Sequence, residues 1–328
     1  MNSTTPLAAA AVLSVSALVM PFTTAGAAEI YPARPVRLIV PQGVGASTDT
    51  LSRALALKLG ETFGQQVVVD NRPGAGGLIG MEIAASAAPD GYTLLATATA
   101  TQVIAPQLQK RLAFDPFKDL LPVSLFGITH NVMVIHPSLP ARSVKELIAH
   151  AKSAPGRLNM ASAGAGSQSH LAGVQFLLAA GAAATHVPYK GGGASVAAVI
   201  ANESQFCVTP LPATLPHIKS GRLRALGTGG NQRSQQLPDT PTIAEAGLAG
   251  FHSTGWIGLM TPKGMPSPLF DRIRGAFLKT MEHADTREQI TRQGGDPVTS
   301  TPGEFAKFIR IEWDRFGTAI RAAKLTLE

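Results

Sequence analysis

The residues able to do chemistry gather in a few short stretches rich in glycine and hydroxyl groups. The first runs through Gly43, Val44, Gly45, Ala46, Ser47, Thr48 and Asp49. The second contains Ser162, Gly164, Gly166, Ser167, Ser169 and His170. The third has His186, Tyr189 and Lys190 ahead of Gly191, Gly192 and Gly193. Each lies between an apolar run and a segment of helical periodicity. Glycine lets a backbone turn sharply and lets a ligand come close to it. Free N–H groups at the start of the following helix then form an anion site that needs no arginine. The first stretch alone fits a plain strand-to-helix turn better than a ligand loop.

Other chemistries fit the same residues less well. A Ser–His hydrolase would draw on Ser167 or Ser169 with His170 or His186, but no Gly-x-Ser-x-Gly nucleophile elbow is present. Gly74, Gly76, Gly77 and Gly80 suggest a dinucleotide fingerprint. It fails because Ile79 stands where the third glycine belongs, and no acidic residue ends a strand about 20 positions later. A tight strand-to-helix connection lining a cleft is the better reading. No two histidines have metal-ligand spacing. His170, at a helix start, is a candidate for the cleft, whereas His186 reads as a packing residue and His217 as surface or hinge. Arg72 could clamp a carboxylate, but between a strand and Pro73 it reads as structural. Cys207 sits in an apolar strand-like run and reads as a buried small hydrophobe.

Strands and helices must alternate to position these loops. Strands are expected at residues 36–40, 66–70 and 92–97, with helices at 49–59 and from Gly80 to about Ala88. Leu51, Ala54, Leu55 and Leu59 fall on one face of the first helix, which Ser47 or Thr48 can cap. A polar loop is expected at 97–102. A second series begins near Phe126, with strands at 131–135, 157–161, 185–188 and 205–209, and helices at 143–153, 171–179, 194–201 and 213–220. Ser143 and Glu146 form a capping box. A strand at 222–228 returns to the first domain, followed by a short helix at 241–246, a strand at 256–260 and helices at 268–282, 286–293 and 302–323. The alternation argues for a parallel sheet covered on both faces. The chain crosses between its domains more than once, which makes a hinge.

Composition narrows the function classes. Residues 1–28 read as a cleaved secretory signal peptide, with an apolar stretch and small residues at Ala25, Gly26 and Ala27, although no Lys or Arg precedes it. About 300 residues remain, enough for two domains: 29–125 with 228–328, and 126–227. The hydrophobic fraction of 45% supports real cores, and one cysteine rules out an internal disulfide. The net charge of +7 is spread along the chain, with no basic run beyond Lys110 and Arg111. That pattern argues against nucleic acid and suits attraction of small anions.

Taken in order, several motifs resemble the Bug-type periplasmic receptors of tripartite tricarboxylate transporters. They are Tyr31, Pro32, Arg34 and Pro35; the loop from Pro41 to Asp49; Val69 with Asn71 to Gly77; Ala88 to Tyr92; Ser162 to Gly164 with Ser169 to Gly173; His186 to Gly191; Leu215 to Ile218; Leu237 to Gly247; and Trp256 with Gly258. The resemblance implies a two-domain α/β periplasmic-binding-protein (Venus flytrap) fold of type II kind, with no catalysis and no cofactor. It implies a monomer in the periplasm that captures a small organic acid and delivers it to integral-membrane transporter subunits. A sensor feeding a two-component system is the alternative. By position, the ligand residues would be Gly45, Ala46, Ser47, Thr48 and Asp49, then Thr97 and Thr99, and across the cleft Ser162, Gly164, Ser167 and Ser169. Tyr189 and Lys190 would stand at the cleft edge. The family loop Pro-Phe-x-Pro-Gly-Gly-x-x-Asp is altered by Gln42, Val44 and Ala46, and the frequent Asp-Asn after the 205–209 strand is Thr209 and Pro210 here. Loss of that acid should disfavour ligands with an amine or amide.

Overall fold

A computed structural model describes residues 31–322, together with Met1 and Leu325. The expected leader, apart from Met1, lies outside the described residues. The elements, in order, are β1 (Val36–Val40), α1 (Ser47–Phe63), β2 (Val67–Asn71), α2 (Leu78–Ala85), β3 (Thr93–Ala98), α3 (Ala105–Gln107), β4 (Leu120–Ile135), α4 (Val144–Ser153), β5 (Asn159–Ser162), α5 (Gln168–Ala180) and β6 (Thr185–Pro188). They continue as α6 (Gly192–Ile200), β7 (Phe206–Pro210), α7 (Leu211–Lys219), β8 (Arg224–Thr228), β9 (Thr254–Pro262), α8 (Ser267–Glu282), α9 (Ala284–Arg292), β10 (Gly295–Asp296) and α10 (Pro302–Ala322).

The sheet is mixed rather than parallel. β1 lies parallel between β2 and β3, but β9 runs antiparallel to both β3 and β4. β9 follows β4 only after a long excursion and enters the sheet from the opposite end, which the local strand–helix rhythm does not encode. Both faces are covered, as expected. Leu38 and Leu94 point into one core with Leu55 and Phe277, while the adjacent Ile39 and Leu95 point into another with Trp256 and Phe305. In the other half, Met133 packs with Phe176 and Phe206, and Val132 with Cys207 and Leu211. This is the period-two alternation of a strand buried on both sides.

β4 ties the halves together. Its first part pairs with β9 as far as His130 opposite Thr254, and from Asn131 it lies between β7 and β8. Only its last five residues were legible as a strand in the sequence. Three backbone segments meet at the switch. Gly229 N–H donates to the Asn131 carbonyl at 2.7 Å, Ser253 N–H to the Gly229 carbonyl at 2.7 Å, and Asn131 N–H to the Ser253 carbonyl at 3.2 Å. A Cβ at Gly229 would collide with the Ser253 carbonyl, so only glycine permits this approach.

Two further expectations are corrected. Residues 100–104 form a π-helical turn leading into α3, not a polar loop, because Val103, Ile104 and Ala105 are buried in the core. Residues 241–246 are turns rather than a helix. Ile243 N–H is drawn to the Thr228 carbonyl at 2.8 Å, and Gly247 leaves the helical region at φ 114°. Among the described residues no helix is long and apolar enough to cross a membrane.

Candidate functional site

The first loop ends in α1, and its cap is Ala46, not Ser47 or Thr48; no side chain caps the helix. The N–H groups of Ser47 and Thr48 head the helix, where geometry denies them an intrahelical acceptor. Asp49 turns away from the opening. Its carboxylate accepts the Gly45 N–H at 2.9 Å, the Asn71 amide at 2.9 Å and the Arg53 guanidinium at 2.9 Å. Burial opposes ionisation there, but the hydrogen bonds from Arg53, Gly45 and Asn71 win and hold the carboxyl below its usual range. Asp49 is thus neutralised by Arg53 and fixes the loop to β2. The Asn71 amide also reaches the Gln42 carbonyl at 3.0 Å.

The second loop carries a hydroxyl lattice. Ser167 caps α5 by accepting the His170 N–H at 3.2 Å. Ser169 Oγ accepts the Ala163 N–H at 2.9 Å and lies 3.1 Å from Ser167 Oγ. His170 Nδ1 accepts the Gly166 N–H at 3.1 Å. The His170 ring stacks flat on His186, with centroids 3.7 Å apart. Burial, reinforced by His186, pushes His170 down to about 4, and burial lowers His186 too. His186 Nε2 lies 2.6 Å from Ser162 Oγ. A third loop follows: Tyr189 N–H donates to the Ser162 carbonyl at 2.9 Å, its hydroxyl lies 3.2 Å from Ser204 Oγ, and Gly191 N–H donates to the Ala163 carbonyl at 3.3 Å. α6 begins at the next residue.

Between these loops lies a cavity of about 760 Å³. Of the residues expected at the ligand, Ala46, Ser47, Thr48, Ser167 and Ser169 line it. Gly45, Asp49, Thr97, Thr99, Ser162, Gly164, His170 and Tyr189 are not in its lining, and several of them hold that lining in place. Among the described residues, Lys190 is the only charged side chain in the wall. Gly74, Gly76 and Gly77 line it too, as the glycine cluster suggested, and so do Thr209 and Pro210.

Sequence reasoning missed Thr129, Gln168, Leu108 and Trp256, which also line the cavity. Gln168 was findable, flanked by Ser167 and Ser169 at the head of α5. Its amide donates to Asn131 Oδ1 at 3.2 Å, and Asn131 donates to Ser253 Oγ at 2.6 Å. A cavity-lining side chain is thereby wired to the strand switch. Trp256 stood out only as part of the motif with Gly258, not as a cavity residue, and Leu108 gave no signal.

The arrangement suits binding rather than turnover. Ser167 Oγ meets the backbone of His170, not its ring. Ser162 and His186 are close enough for proton transfer, yet neither is in the cavity wall, and among the described residues no carboxylate hydrogen-bonds either histidine. No cluster of three His, Cys, Asp or Glu among the described residues is placed to hold a metal.

Comparison with known proteins agrees. The family model described as tripartite tricarboxylate transporter family receptor matches residues 51–325. BugT of Bordetella pertussis is 38% identical over 295 residues, covering 90% of each chain. Among solved structures, R. palustris Rpa4515 with adipate has a TM-score of 0.86 at 28% identity, covering 90% of this chain and 99% of that one. MatC from Rhodopseudomonas palustris with bound malate has a TM-score of 0.81 at 29% identity, covering 88% and 100%. The chain belongs to the tripartite tricarboxylate transporter receptor family of the Bug type, a family of periplasmic binding proteins rather than enzymes.

Proposed function

We propose that this protein is an exported receptor that captures a small organic acid between its two halves and hands it to integral-membrane transporter subunits. The observation that carries the acid is the makeup of the cavity wall. The first turns of α1, α5 and α6 contribute to it from both sides of the strand switch, and among the described residues Lys190 is its one charge and no carboxylate lines it. Helix N-termini carry partial positive charge and unpaired N–H groups, so a carboxylate is the complementary group. The halves we propose, residues 29–125 with 228–328 and 126–227, would close about β4 and the backbone contacts at Asn131, Gly229 and Ser253. A carboxylate touching both halves binds the closed form better, and that difference in affinity drives closure. Adipate and malate in two structural relatives support the ligand class. The membrane partners and periplasmic location are supported by family membership and by the leader-like first 28 residues.

Thermal unfolding of the protein against mono-, di- and tricarboxylates, aromatic acids, amino acids and uncharged analogues tests this. A ligand bound only by the folded form raises the midpoint, by about 2.7 kcal/mol of stabilisation at 100 times its Kd. A rise with at least one acid, and recovery of that acid unchanged, is expected. A rise only with neutral or cationic compounds would sink the proposal.

A further inference from the structure

The cavity wall is uneven. Its hydrogen-bonding part comes from the helix starts, including Ser167, Ser169 and Gln168. Another part, all from the half that holds β1, is built by Ala75, Ala98, Ala105, Leu108, Trp256 and Ile257. Three hydroxyls stand immediately around this part in sequence, and all three are fully buried and used internally. Thr97 Oγ1 lies 3.1 Å from Thr101 Oγ1 and 3.3 Å from Gln102 Oε1. Thr99 Oγ1 accepts the Trp256 backbone N–H at 2.9 Å. Thr101 Oγ1 accepts the Ala98 N–H at 3.1 Å and donates to the Ala98 carbonyl at 3.2 Å. The Gln102 amide donates to the Pro116 carbonyl at 2.7 Å. The Trp256 indole N–H is shut off from the cavity, and its ring packs edge-on against Phe305 and Phe308. Lys190, the one charge, is exposed.

Resting on the acid-receptor reading, we infer that the preferred ligand is a monoanion: one carboxylate at the helix starts and an uncharged, apolar body against this wall. A second carboxylate there would lose its water against the side chains of Ala98, Leu108, Trp256 and Ile257, and the neutral side chains of Gln42, Thr129 and Thr209 elsewhere in the lining cannot balance its charge, a larger penalty than the apolar contact returns. A methylene chain or aromatic ring meets no such penalty and gains from burial. The preference differs from the dicarboxylates adipate and malate found in the two structural relatives.

Matched pairs test the inference: hexanoate with adipate, and benzoate with terephthalate, their affinities measured by calorimetry at pH 7. The monoacid should bind about tenfold more tightly than its diacid, a difference of about 1.4 kcal/mol. Leu108→Ala should weaken the better-bound monoacid by about threefold or more, through lost apolar contact. A monoacid advantage below about threefold, a diacid advantage, or no effect of Leu108→Ala would overturn the inference and leave the acid receptor standing. Binding of none of the four, nor of any acid in the unfolding panel, would overturn both.

Discussion

Asp49 sits beside the cavity without lining it, so its replacement separates a positioning role from contact. Its side chain is 3% exposed and accepts three charge-assisted hydrogen bonds. The Arg53 partner is half exposed, so that bond adds little, under about 1 kcal/mol. The Gly45 N–H and Asn71 amide are part-buried, and each such bond to a charged group contributes roughly 1.5–3 kcal/mol. Asn71 keeps the Gln42 carbonyl after the carboxylate is gone. Asp49→Ala should therefore destabilise by about 3 kcal/mol. In a chain of this size that lowers the midpoint by roughly 5–10 °C. Asp49→Asn keeps one acceptor but turns an amide donor toward Arg53 or Asn71, so about half that loss is expected. The lowered carboxyl pKa fixes the sign with pH. The charge's contribution is full above the ordinary aspartate value and is lost as pH falls through the lower folded value. The Asn variant lacks that dependence. Calorimetric unfolding of wild type, Asp49→Asn and Asp49→Ala between pH 3 and 7 reads all of this. A midpoint for Asp49→Ala within about 1 °C of wild type at pH 7 would refute the claim that this carboxylate fixes the first loop.

Other consequences follow from the same geometry. His170 is neutral in the fold and pushed down to about 4, so the unfolded chain takes up its proton first, and stability falls as pH drops from about 6.5 to 4. The loss is at most about 3 kcal/mol, and His170→Asn should flatten that part of a pH–stability curve. Gly77→Ala should cost about 2–4 kcal/mol, because φ is 101° and the new Cβ would lie 2.8 Å from the Pro41 carbonyl oxygen. Normal stability of the purified variant would show that the connection from β2 to α2 can relax. Burial pushes the Cys207 thiol up to about 12, so it should resist a thiol-reactive dye in the folded protein and react after denaturation. Rapid labelling of the native chain would mean that β7 opens far more readily than its packing suggests.

Local patterns wrote much of this protein into its sequence. Short apolar runs gave β1, β2 and β3 within about a residue. Ser143 and Glu146 marked the start of α4, and the Ser143 hydroxyl does accept the Glu146 N–H at 3.2 Å. The loops with glycine and hydroxyl groups stood out as a set, since turns, caps and anion cradles share one local requirement, unpaired N–H groups at a helix start, and parts of all three line the cavity. The motif order was enough to point to the family.

Tertiary structure decided what each loop residue does. Thr97 and Thr99 look identical in sequence to ligand-facing hydroxyls, yet both are sealed in the core, because a helical turn and β9 supply their partners from elsewhere in the chain. Asp49 became a brace once Arg53 and Asn71 surrounded it. His170 turned from a cleft candidate into half of a stacked pair. The antiparallel entry of β9, the unbroken β4 and the meeting of Asn131, Gly229 and Ser253 all depend on contacts between residues far apart in the chain. A local pattern specifies which backbone groups are left unpaired, but only the packed fold determines which of them face the cavity and which are paired elsewhere.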